Sequence, residues 1–106
     1  MRCRQRTGTR SVTENELLAA VRQVAWHTGW LTYHTFRSDR SEPGFPDLCM
    51  VRDGRVVFAE LKSEKGRVTR AQQMWLDALE GTGVEVFVWR PSDLDGIARV
   101  LSRRVS

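Results

Sequence analysis

The sequence predicts an α/β fold: a mixed β-sheet flanked by helices, in the order α-β-β-β-α-β, with one more helix at the C-terminal end. Three observations predict it. Two stretches carry apolar residues at helical spacing, and each opens on a Thr-x-x-Glu/Gln capping box. Two runs of strand character flank Asp53-Gly54, the strongest short-range signal for a β-hairpin. The second helix leads into another strand, a crossover that should lay that strand parallel to its neighbour in the sheet.

The first helix follows from Leu17, Leu18, Val21, Val24 and Ala25. Thr13 is its expected N-cap, with Glu16 reaching back to the Thr13 amide, and Gly29 its stop. LTYHTF (31–36) reads as a strand, and RSDRSEPGFP (37–46) as a loop punctuated by two prolines and a glycine. DLCMV and RVVFAELK form the two arms of the hairpin. With Asp53 and Gly54 as its turn, Arg52 faces Arg55, Met50 faces Val57 and Asp47 faces Glu60. Thr69-Arg70-Ala71-Gln72 is the second capping box, opening a helix through Leu79 that closes at Gly81 or Gly83. VEVFVW (84–89) is a strand ended by Pro91. Ser92 is the expected cap of a last helix carrying Leu94, Ile97, Ala98 and Leu101, and the terminal SRRVS should fray. Residues 1–12, with four arginines and no apolar periodicity, read as a flexible basic arm, and 13–106 as one domain. Trp75 and Trp89 are expected in the core, with Trp30, at the exit of the first helix, available for a subunit contact.

Composition narrows the function classes. Seventeen Lys and Arg against thirteen Asp and Glu give a net charge of +4, which favours a polyanionic partner such as nucleic acid. No run of eighteen apolar residues exists, and the basic N-terminal stretch has no following h-region. Neither a membrane span nor a secretory signal is expected, and the location should be cytoplasmic. Cys3 and Cys49 make neither a disulfide framework nor a metal pair.

The chemistry concentrates at the open end of the hairpin. Glu60 and Lys62 share one face of their strand, and Asp47 projects from that same face. Opposed like charges destabilise a sheet, so something positive must sit between the carboxylates, and Lys62 alone is not placed to satisfy both. Two hard oxygen ligands at a strand mouth suit Mg²⁺ or Mn²⁺ better than zinc. Lys62 beside them can orient or activate water, or offset phosphate charge. Among the basic residues, Arg37, Arg40, Lys65 and Arg67 lie on the loops entering Asp47 and leaving Lys62, where they can contact phosphates. His34 lacks a partner at metal-ligand spacing and, like Ser38 and Ser41, reads as structural or DNA-proximal.

Pro46-Asp47 followed by Glu60-Leu61-Lys62 resembles the PD-(D/E)xK nuclease signature. GFPDL…FAELK…GRVTRAQ…GVEVFVW is similar to its VRR-NUC (virus-type replication-repair nuclease) branch, in the small stand-alone phage or prophage form, over residues 13–95. The resemblance implies a Mg²⁺-dependent endodeoxyribonuclease in which Asp47, Glu60 and the Leu61 carbonyl hold the metal and Lys62 serves the attacking water. It also implies a glutamate on the first helix and a glutamine opening the helix after the Glu-x-Lys motif. Gln72 fills the second slot, where it also completes a capping box; the proline usual after the Ser/Thr is Arg70 here. For the first slot the sequence offers Glu14 and Glu16. At about 100° per residue, Glu14 lies within the apolar stripe, while Glu16 points away and is accounted for by capping. Glu14 is therefore the expected site acid.

As partner the resemblance implies branched DNA, with four-way (Holliday) junction resolution by a homodimer in a bacterial or phage-infected cell, and no small-molecule substrate. Cleavage of flaps or nicked duplex, a nonenzymatic DNA-binding module on a nuclease fold, and a small subunit of a replication complex are the rival expectations.

Overall fold

A computed structural model describes residues 11–35 and 42–104. The basic-arm expectation, Cys3, Arg37, Ser38, Arg40 and Ser41 fall largely or wholly outside the described residues. The chain order is α1 (Glu14–His27), β1 (Leu31–His34), β2 (Leu48–Arg52), β3 (Arg55–Leu61), α2 (Arg70–Glu80), β4 (Glu85–Trp89), a 3₁₀ turn (Pro91–Asp93) and α3 (Leu94–Ser102). The four strands make one sheet in the order β1-β2-β3-β4. β1, β2 and β3 pair antiparallel, and β4 lies parallel to β3 after the α2 crossover. The mixed α/β architecture is the one the sequence predicts. Among the described residues no helix is long and apolar enough to cross a membrane.

Local chemistry sets the element ends. Thr13 Oγ1 accepts the Glu16 amide at 3.1 Å while Glu16 Oε1 accepts the Thr13 amide at 2.9 Å, so the first capping box is complete. The hairpin turn has φ of 51° at Asp53 and 81° at Gly54, the left-handed pair that matches the twist of the flanking strands. Its register puts Arg52 opposite Arg55, Met50 opposite Val57 and Leu48 opposite Ala59. Gly44, at φ 92°, lies so close to α2 that a Cβ there would stand 2.5 Å from the Ala71 carbonyl carbon.

Alternation along the strands divides the interior between the two faces. Leu48, Met50, Val57, Ala59, Leu61 and Trp89 face α1 and α3, where Leu17, Val21, Ala25, Ile97 and Leu101 meet them, all buried. Each Val, Leu, Ile or Met side chain among them contributes about 1.5–3 kcal/mol on leaving water. On the opposite face Phe45 packs edge-on against Phe58 and Trp75, with ring centroids 5.8 and 5.0 Å apart. Leu31 and Tyr33 on the edge strand β1 stay exposed.

Three sequence expectations are overturned at the elements' ends. Trp30 is not free for a subunit contact: it is 5% exposed, its Nε1–H donates to the Leu101 carbonyl at 2.8 Å, and the exposed tryptophan is Trp26. Ser92 does not cap α3. The chain makes a 3₁₀ turn first, and Asp93 Oδ2 accepts the Arg90 amide at 2.8 Å. Arg103, directly after α3, does not fray, because the cross-strand arginines hold its carbonyl; residues 105 and 106 lie outside the described residues. Arg52 donates to the Thr28 and Leu101 carbonyls at 2.8 and 2.7 Å and also to that of Arg103. Arg55 bonds the Arg103 carbonyl at 2.7 Å and grips Glu85 with two 2.7 Å bonds. Both guanidinium groups lie over the Trp30 ring, 4.7 and 4.9 Å from its centroid. Two like charges are tolerated side by side because carbonyls at the ends of α1 and α3, a carboxylate and an aromatic face surround them.

Candidate active site

The far end of the hairpin carries the acids. Glu60 is the last residue but one of β3, and Asp47 immediately precedes β2, so the pairing of Leu48 with Ala59, continued one step, sets Asp47 beside Glu60. Asp47 turns one oxygen inward: Oδ2 accepts the Leu61 amide at 2.8 Å. In an antiparallel pair, the amide and carbonyl of one strand residue point the same way. The Leu61 carbonyl therefore faces the Asp47 side, while the next amide, of Lys62, is taken by the Trp89 carbonyl at 3.0 Å.

Glu60 is 2% exposed. Its Oε2 accepts Gln72 Nε2 at 2.8 Å and lies 3.6 Å from Lys62 Nζ, whereas its Oε1 has no hydrogen-bond donor. Burial first, then the Asp47 carboxylate, pushes the Glu60 carboxyl up to about 8, with the Lys62 ammonium opposing the shift. Glu14 adds the smallest contribution in the same direction. Among the described residues no cation pairs with Asp47, so Lys62 serves one carboxylate and not both.

Gln72 does two things at once. Oε1 accepts the Thr69 amide at 2.8 Å, which closes the second capping box, and this orientation leaves Nε2 to donate to Glu60. A single rotamer serves the cap and holds Glu60.

Glu14 stands on the exposed first turn of α1 and lines a small cavity with Leu18, His34, Thr35, Asp47 and Leu61. Glu16 is held in the capping box, away from it. The cavity holds about 100 Å³, room for an ion and a few waters but far from the several hundred Å³ that enclose a whole organic ligand. A larger substrate would have to present one group at its mouth. The two larger hollows, about 340 and 480 Å³, are lined by no carboxylate among the described residues. His34 Nε2 lies 3.4 Å from an Arg22 guanidinium nitrogen. Lys65 and Arg67 are exposed on the loop that leaves Lys62.

That loop is tied down by a residue to which the sequence drew no attention. Arg90, just past β4, directs Nη1 at the carbonyls of Ser63, Glu64 and Gly66, at 2.8, 3.2 and 2.7 Å. The Glu64 carboxylate in return accepts the Ser92 amide and hydroxyl at 3.0 and 2.8 Å. No periodicity or motif marks a lone arginine after a strand, so only the fold reveals these contacts.

A divalent cation fits the donor set. Asp47, Glu60 and the Leu61 carbonyl are all hard oxygen donors, and Glu60 Oε1 is a buried acceptor lacking a donor. Among the described residues no cluster of three or more His, Cys, Asp or Glu forms, so the acids come together as the pair Asp47 and Glu60 and not as a larger set.

Comparison with known proteins gives a consistent picture. The VRR-NUC domain model matches residues 5–93. Two solved structures described as VRR-NUC domain proteins superpose with TM-scores of 0.68 and 0.64 at 22% and 20% identity. The first match covers 82% of this chain and 96% of the other, and the second 87% of each. A Holliday junction resolvase from Archaeoglobus fulgidus overlaps at a TM-score of 0.49 and 20% identity, over 74% of this chain and 65% of its own. No curated protein matches the sequence.

Proposed function

The chain belongs to the VRR-NUC domain family, and from that premise we propose that it is a Mg²⁺-dependent DNA endonuclease working through Asp47, Glu60 and Lys62, with Glu14 and Gln72 completing the site. The observation that carries the reading is Glu60: a carboxylate buried beside a second one, with one oxygen lacking any donor. Burial of this kind costs stability unless the charge is compensated. A divalent ion held by Asp47, Glu60 and the Leu61 carbonyl compensates it. Bound there, Mg²⁺, or Mn²⁺ in its place, supplies a Lewis acid for a phosphoryl oxygen and offsets the charge that builds on the phosphodiester.

The rest of the chemistry falls to the chain. Gln72 fixes the Glu60 carboxylate by its 2.8 Å bond, so the acid does not swing when a phosphate arrives. Lys62, its ammonium 3.6 Å from Glu60, orients the attacking water and balances the phosphate's charge. Glu14, at the cavity mouth, accepts a proton or a water hydrogen bond there. Lys65 and Arg67, exposed on the loop leaving Lys62, contact backbone phosphates; the same role is proposed for Arg37 and Arg40, which lie outside the described residues. Resemblance to the VRR-NUC branch favours branched DNA as substrate. Two copies related by a two-fold axis would make the paired cuts that resolve a four-way junction.

Incubating the purified chain with labelled four-way junctions, flaps, nicked and linear duplexes, with Mg²⁺, Mn²⁺ or a chelator, tests the proposal. Junction cleavage should need the metal, and Asp47→Asn or Lys62→Ala should lower it by on the order of a hundredfold or more. Preferential cutting of flaps or nicks would keep the hydrolase and replace its substrate. Binding without cutting in either metal would leave a nonenzymatic DNA-binding module.

A further inference from the structure

Resting on that reading of Lys62, we propose that Arg90 is a positioning residue for the Lys62 ammonium, acting through Gly66. Lys62 sits at the end of a strand, with four freely rotating carbon–carbon bonds between backbone and charge. Yet its side chain is 9% exposed and its ammonium faces Glu60. Something must wall the stem. A Cβ placed on Gly66 would stand 3.6 Å from Lys62 Cδ and 2.9 Å from Ser63 Oγ, so only about a methyl group's width separates the Gly66 backbone from that stem.

Gly66 is held in turn by Arg90. The Gly66 amide bonds the Ser63 carbonyl at 3.2 Å, closing a turn, and Arg90 Nη1 draws the carbonyls of Ser63, Glu64 and Gly66 together. One guanidinium nitrogen has two hydrogens, so three carbonyls share them, and the loop is folded around the charge. The Glu64 carboxylate on the Ser92 amide and hydroxyl closes the tie from the other side. The end of β4 therefore controls Lys62 twice: Trp89 takes its amide, and Arg90 fixes the wall behind its stem. Side-chain freedom otherwise costs a lysine heavily when it is to be held in one pose, and a misplacement of about 1 Å in a catalytic group can cost on the order of a hundredfold in rate.

Lys62 and Lys65 are the two lysines of the chain, which permits a readout independent of nuclease activity. Reductive methylation with ¹³C-formaldehyde labels both lysines and the N-terminal α-amine, which its chemical shift sets apart, and the build-up of the two lysine signals reports how far each amine is shielded. In the wild-type chain Lys62 should label more slowly than exposed Lys65 by on the order of tenfold. In Arg90→Gln that protection should be lost, while Arg90→Lys, which keeps a cation and three donors and adds a lysine signal of its own, should retain most of it at Lys62. Gly66→Ala, which leaves Arg90 in place but sets a Cβ 2.9 Å from Ser63 Oγ and so shifts the turn that walls the stem, should also expose Lys62, so the proposal stays testable if R90Q does not fold. On junction DNA, R90Q should lower kcat by on the order of tenfold to a hundredfold with KM within about threefold.

Unchanged Lys62 labelling in folded R90Q or G66A overturns the proposal even where the wild-type chain cuts DNA. So does a loss expressed in KM alone, which would mean that Arg90 serves Lys65 and Arg67 instead. A wild-type chain that cuts no DNA, with labelling that follows Arg90, removes the nuclease reading and leaves the positioning contact standing.

Discussion

Glu60 gathers in one side chain the tension that the site has to resolve. Its carboxyl, pushed to about 8, keeps its proton in the folded chain over a range where the unfolded chain has lost it. Folding then takes up a proton, so this group's contribution is fully present below the unfolded value near 4.5 and declines as pH rises toward 8. Metal-free protein should therefore melt several degrees lower at pH 8 than at pH 5 in calorimetry. Glu60→Gln should flatten that slope, and Mg²⁺ should raise the melting temperature of the wild type at pH 8 far more than that of the variant. Gln72 tests the neighbouring link: Gln72→Ala removes both a cap and a buried donor to Glu60 and should cost about 2 kcal/mol in urea unfolding. Gln72→Glu keeps the cap acceptor but sets a third acid beside the pair. Its activity should fall below that of Gln72→Ala at equal folded fraction.

The elements show what the sequence discloses and what it withholds. Capping boxes at Thr13 and Thr69 and the Asp53-Gly54 turn are legible because each involves residues three or fewer positions apart, so local chemistry decides them. The adjacency of Asp47 and Glu60 is legible for the same reason, since a two-residue turn fixes every pair along the hairpin. Trp30 is misread because its partner is the Leu101 carbonyl, seventy-one positions away, and the helix end it leaves looks alike whether it docks inward or outward. Arg90's contacts lie twenty-four to twenty-seven positions back and carry no pattern. Two glycines with positive φ separate conformational from steric demand. A Cβ on Gly54 meets nothing within 4 Å, so Gly54→Ala should cost only about 1 kcal/mol of backbone strain. Gly44→Ala collides with Ala71 as well and should cost at least about 2–3 kcal/mol more in chemical denaturation.

At the scale of the whole molecule, stability and chemistry occupy opposite ends of one hairpin. The arginine pair over Trp30 binds β2, β3, β4 and the ends of two helices near the turn, roughly 20 Å of strand from Lys62. Arg55→Met should leave Glu85 short of its strongest partner and lower unfolding free energy by about 2–4 kcal/mol. At temperatures well below its melting point, its junction cleavage should equal that of the wild type. The same two strands that carry this clamp also align the acids, and here the core has a say. Leu48 and Met50 are sealed against Val57 and Ala59 on one side of the sheet, while Cys49 and Val51 look out on the other. Sliding one strand by a single place would turn the greasy side outward, so oil and water together act as the ruler that keeps the two oxygen-bearing groups level. The surface of such a chain can vary widely without losing that alignment, because any sequence that still buries this stripe has already set the spacing of the two carboxylates.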